Sequence, residues 1–240
     1  MKKINLLITM FCACIVCNAQ TEKWDYPLKP GMEEWYLLET GQESIDALQV
    51  PEDVLAKLSS DELVRLCITF PAFGIFFAFN TPQDGFAVMV ERYNLFRHLL
   101  SRKDVGGSLI AAYKDASLSG FKTLPYSNEF WSIKLYYFEL LLSQKEILQS
   151  LTPDEKLELI TEARSKFSAK MNSEDHASPP GALFSIRIMA SILDVDTYPE
   201  LNVSSNRGTA TQFIQTGRLN DPSTANEIIS ITDNYIRSKK

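Results

Sequence analysis

One short helix-restart phrase occurs twice in this chain. Leu55-x-x-Leu58-Ser59-x-Asp61-Glu62 is echoed by Leu148-x-x-Leu151-Thr152-x-Asp154-Glu155. In each copy a hydroxyl residue stands three positions before a glutamate, the spacing at which side chain and backbone cap one another at a helix start. The phrase thus encodes the end of one helix, a tight turn and a capped new helix, the joint from which helix-pair stacks are built. Thr81-Pro82-Gln83-Asp84 and Asp221-Pro222 repeat the chemistry with proline at the first helical position. No fixed repeat period accompanies the echo, which argues against a tandem solenoid.

Between these joints the apolar residues recur at helical spacing. Phe86, Val90, Tyr93, Phe96 and Leu100 predict one helix running from Thr81 to about Ser101. Asp104 is placed to cap a short helix containing Leu109, Ile110 and Tyr113. Asn128 to Ser150 is the longest predicted helix, apolar on more than one face and therefore central. Asn172 to Pro180 is the clearest loop, and Gly181 to Leu193 an apolar helix interrupted by Arg187 alone. The period-two alternation of strands is missing. The predicted fold is all-α: an irregular stack of antiparallel helix pairs forming a single domain over residues 20–240. Residues 20–50 form an extended N-terminal strap plus a broken helix, and 51–240 the helical body. Pro27, Pro30 and Gly31 enforce the extended part.

Residues 1–19 read as a signal peptide: Lys2 and Lys3, an apolar run from Ile4 to Val16, then Cys17-Asn18-Ala19. Cleavage between Ala19 and Gln20 is expected, and with it a secreted or periplasmic address. The apolar run is shorter than the roughly 20 residues a membrane span needs, and no later segment approaches that length, so the mature chain is expected to lack a transmembrane segment. The approaches to Cys14 and Cys17 fit a lipoprotein acceptor poorly, leaving lipid anchoring the lesser alternative. Processing would leave Cys67 as the one thiol, ruling out an intramolecular disulfide. The formal charge of −6 becomes −8 without Lys2 and Lys3. An acidic chain without a basic stripe is a poor partner for nucleic acid.

Few residues suggest chemistry. His98 and His176 are far apart and no ligand cluster surrounds either, so no metal is expected. Glycine-rich phosphate loops, nucleophile elbows and zinc-protease helices are missing, and neither a cofactor nor a catalytic residue is assigned. Asp84, Glu91 and His98 follow one another at seven-residue intervals on one predicted face. Two turns separate each pair, too far for direct contact, so a solvated face is the expectation. Cys67 sits among Leu63, Val64, Ile68 and Phe70 and reads as a small core residue. Trp24, Tyr26, Trp35 and Tyr36 are candidate binding aromatics for a glycan, set against the reading that they anchor the proline-stiffened strap to the helical body.

Several stretches carry a family resemblance: Tyr26-Pro27-Leu28-Lys29-Pro30-Gly31-Met32-Glu33-Glu34-Trp35, Gln49-Val50-Pro51-Glu52-Asp53-Val54-Leu55, Leu58-Ser59-Ser60-Asp61-Glu62-Leu63, Phe77-Ala78-Phe79-Asn80 with Gly85-Phe86, and Arg102-Lys103-Asp104. Over residues 24–115 the chain resembles uncharacterised secreted all-helical proteins of anaerobic gram-negative gut bacteria. Longer members of that group append a C-terminal module with a Cys-His pair of amidase-like appearance. This chain has no cysteine after Cys67, so the resemblance implies no hydrolase activity here. The expected function is a binding or interaction module of the cell envelope, with an envelope protein or glycan as partner. The alternative is an envelope glycan hydrolase or lyase whose carboxylates converge only in the fold.

Overall fold

Side-chain caps start the helices at Gly41–Asp46, Ser60–Ile68, Pro82–Arg92, Pro153–Met171 and Pro222–Ser238. In the computed structural model, which describes residues 24–117, 120–121, 131–173 and 179–239, Ser59 and Thr152 both close full capping boxes, with Glu62 and Glu155. A third box, Thr40 with Glu43, opens α1 (Gly41–Asp46). It follows a 3-10 turn at Glu33–Leu37, and together these are the broken helix of the strap. Next come α2 (Glu52–Leu55), α3 (Ser60–Ile68) and a second 3-10 helix at Phe73–Ala78. Thr81 caps α4 (Pro82–Arg92), which is followed by α5 (Asn94–Ser101) and α6 (Gly106–Asp115). Among the described residues strand is confined to β1 (Ala116–Ser117) paired antiparallel with β2 (Gly120–Phe121). The C-terminal half comprises α7 (Trp131–Leu142), α8 (Lys145–Ser150), α9 (Pro153–Met171), α10 (Pro179–Val195), α11 (Pro199–Val203), α12 (Arg207–Thr216) and α13 (Pro222–Ser238). The fold is all-α.

Two predicted helices are each split in two, for an identifiable reason. The helix expected from Thr81 to Ser101 breaks at Tyr93, which is extended at φ −114° and ψ 122°. There the backbone turns aside to meet residues 49–50. The Asn94 amide donates to the Val50 carbonyl at 2.7 Å, and its oxygen accepts the Val50 N–H at 3.0 Å. The helix expected to end at Ser150 breaks after Leu142. Ser143 and Gln144 both donate back to the Leu140 carbonyl, at 2.8 and 2.6 Å. Such side-chain bonds compete with the helical ladder, and Gln144 takes an extended backbone. Nor does Asp104 cap α6: its carboxylate pairs with Arg102 at 2.5 Å and accepts from Ser60.

One continuous core runs from Tyr26 to Tyr235. α10 lies at its centre, packed on α7, α8, α9, α11, α12 and α13, while α4 bridges the Phe73–Ala78 helix, α5, α7 and α12. Gly85 lets α4 approach that 3-10 helix closely, because a Cβ there would stand 2.5 Å from the Phe76 backbone. Cys67 is fully buried, and burial pushes its thiol well above its ordinary value. Among the described residues no helix is long and apolar enough to cross a membrane.

Candidate functional site

Two ionic clusters lie deep in the protein, and they differ in one respect. The first is complete. Lys170 donates to Glu139 at 2.5 Å, to Ser185 Oγ at 2.9 Å and to the Gly181 carbonyl at 3.0 Å. Glu139 also accepts from the Tyr113 and Ser185 hydroxyls, each at 2.7 Å. Every ammonium hydrogen has an acceptor, so the network is a satisfied core element.

The second is not complete. Arg187, midway along α10, is 3 % exposed. Its Nη2 donates to Gln83 Oε1 and to the Ile214 carbonyl. Both acceptors are neutral, and among the described residues Nε and Nη1 find no acceptor at all. One turn further along the same face, the buried Ser191 hydroxyl is also without a partner. Burial pushes the guanidinium down to about 10, still charged at neutral pH. A buried cation lacking a counter-ion carries an uncompensated desolvation cost of several kcal/mol.

Arg187 and Ser191 line a cavity of about 530 Å³ between α4, the α7–α8 break, α10 and α12. That volume falls in the usual range for small-molecule sites, roughly 300–1,000 Å³. The floor is polar, because Gln83 and Gln144 hold each other amide to amide at 2.9 and 3.3 Å beside Arg187. Walls of Phe86, Val90, Leu100, Val195 and Ile214 are apolar. Exposed Ala87, Lys145, Glu146 and Gln215 form the mouth. Asp194, two turns from Arg187, also lines the cavity but is bound to Arg207 at 2.5 Å. Gly217, in the left-handed region at φ 75°, brings the chain after α12 up to Arg187. A Cβ there would stand 3.1 Å from Nη1. Chemically, the cavity offers unused hydrogen-bond donors and a positive charge beside an apolar wall.

The residues singled out by sequence lie elsewhere. Tyr26 is buried, edge-on to Phe70 and to a half-buried Trp24 at 6.0 and 4.7 Å. Arg65 donates to the Trp24 carbonyl at 3.0 Å. Trp35 packs half-buried against the core, while Tyr36 is 76 % exposed. Asp84 and Glu91 belong to α4 and His98 to α5, so the Tyr93 break removes their common helix. Arg102 pairs with Asp104. Ala19, Gln20 and His176 lie outside the described residues. Among those described, no group of three His, Cys, Asp or Glu side chains is placed to hold a metal ion. A second hollow of about 420 Å³ against α9 is lined by Lys114, Asp154, Glu158 and Glu162, with Lys114 paired to Glu158 at 2.6 Å. No protein-family model, curated protein or solved structure matches this chain.

In the sequence Arg187 stands out only as an interruption of an apolar helix. The usable signal was there: an arginine inside a buried helix must be paired or must serve a ligand. Ser191, Asp194 and Val195 follow it at helical spacing on the same face.

Proposed function

We propose that this protein is a binding module acting outside the cytoplasm, and that its recognition site is the cavity floored by Arg187. The observation that carries the reading is a buried guanidinium in the cavity lining, two of whose N–H-bearing nitrogens have no acceptor among the described residues. Such a group is poorly stabilised by the protein's own acceptors and is improved by any ligand that accepts from it. The signal-like residues 1–19 and the resemblance to secreted helical proteins support the address. A binding role is preferred to glycan hydrolysis because the two cavity carboxylates are not arranged as an acid–base pair. Glu146 is exposed at the mouth and Asp194 is tied to Arg207.

The test is a chemically diverse small-molecule screen by ligand-observed NMR, on the wild type and on Ala87→Trp, which narrows the mouth without touching the floor. Hits on the wild type that vanish in Ala87→Trp support the assignment. Absence of hits, or hits indifferent to Ala87→Trp, would overturn it. For the address, intact mass of envelope-derived protein beginning at Gln20 is expected. A chain retaining Met1 would refute cleavage.

A further inference from the structure

We infer that the ligand of the Arg187 cavity is a monocarboxylate with an apolar body. The inference rests on that cavity being the recognition site and names what it takes.

The charge of the ligand follows from the groups already there. Among the described residues Lys145 and Arg187 of the lining, with Arg207 bound to Asp194 at 2.5 Å, oppose Glu146 and Asp194. The cavity and its bound pair are thus one negative charge short of neutral, and the missing charge belongs beside Arg187. A dianion would overfill this balance and meet Glu146 at the mouth. A carboxylate oxygen accepts the charge-assisted bonds that Arg187 has left over, and the Ser191 hydroxyl is free to donate to it. A neutral carbonyl can accept as well, but leaves the buried cation uncompensated.

The body follows from the walls. Phe86 is buried and Val90, Leu100, Val195 and Ile214 are half-buried in the lining, an apolar surface beside Arg187. A bare inorganic anion would leave these surfaces wet, whereas an acyl chain or a ring displaces that water. Each methylene buried there should tighten binding about fourfold. Asp194 is occupied by Arg207, so among the described residues the site has no free internal acid to receive a ligand ammonium, and an α-amino acid is disfavoured.

Isothermal titration of the purified protein with butyrate, hexanoate and octanoate tests the inference, with octanamide, leucine and inorganic phosphate as comparison probes. Affinity is expected to rise along the acid series. Octanamide should bind at least about tenfold more weakly than octanoate, the worth of one charge-assisted hydrogen bond. Leucine and phosphate should give no heat. Octanoate binding should be lost in Arg187→Gln, kept in weakened form in Arg187→Lys, and blocked in Ala87→Trp, whose exposed site leaves folding intact. Octanamide equal to octanoate, or phosphate or leucine binding as well, would overturn the monocarboxylate. If octanoate does not bind while screen hits still depend on an open mouth, the ligand class fails and the binding site stands. If neither binds, both fail.

Discussion

Lys170 Nζ stands 2.5 Å from Glu139 Oε2 with both side chains shut away from water, while Arg187 on the neighbouring helix is equally buried and has no acid partner among the described residues. The contrast separates a cation that serves the fold from one that is left for something else. Glu139→Gln should destabilise the protein by about 3–5 kcal/mol, because it strands the Lys170 charge. Arg187→Met removes a charge that is already stranded. It loses two neutral bonds in exchange, so the net change should stay within about 1 kcal/mol. Urea midpoints of the two variants check the pair, and an Arg187→Met loss as large as that of Glu139→Gln would make Arg187 structural.

Thr152→Ala should cost about 1 kcal/mol. Its hydroxyl accepts the Glu155 N–H at 3.2 Å, and this cap starts α9, which packs along α10. An unchanged denaturation midpoint would show that the cap contributes nothing.

At Gly85 the added methyl of alanine meets backbone, not a movable side chain, 2.5 Å from Phe76 Cα and carbonyl oxygen. Gly85→Ala should therefore destabilise by about 1–3 kcal/mol despite alanine's better helix propensity. Gly208, in α12 with open space around it, should instead gain from alanine, by up to about 1 kcal/mol. Thermal melts of both variants moving the same way would contradict this.

Asp196 is the group to watch on acidification. Burial alone would raise its carboxyl, but hydrogen bonds from Lys156 at 2.7 Å and Tyr235 at 2.6 Å, with the Lys156 charge, hold it below its ordinary 3.8. The folded protein therefore binds this proton less readily than the unfolded chain. Its stabilising contribution is complete above 3.8 and is lost as pH falls through the lower folded value. The stability gap between wild type and Asp196→Asn should be flat near neutrality and close below pH 3.8. A gap that stays constant to the acid limit would show that the ion pair is inert.

Cys67 should resist a bulky thiol reagent in the native protein and react after denaturation. Its side chain is fully buried in α3, and burial disfavours the reactive thiolate. Rapid native labelling would mean that the core around α3 opens.

The capped starts of α3, α4 and α9 and the all-helical class were legible in the chain because their causes are local, whereas Asp104 was drawn off to Arg102 and does not cap α6. Ser59 finds Glu62, Thr152 finds Glu155 and Thr81 finds the Asp84 N–H within three residues, whatever the rest of the fold does. The two helix breaks were not legible. Tyr93 yields because Asn94 bonds to Val50, more than forty residues away, and Leu142 ends α7 where Gln144 is also held by Gln83. The cavity is a product of those breaks. It is assembled from positions between Gln83 and Gln215 on separate helices, which only packing can bring together. Sequence alone established that Arg187 sits inside an apolar helix. Tertiary structure decided that no carboxylate among the described residues would meet its remaining N–H groups there, because the acid on that face of α10, Asp194, had already been taken by Arg207.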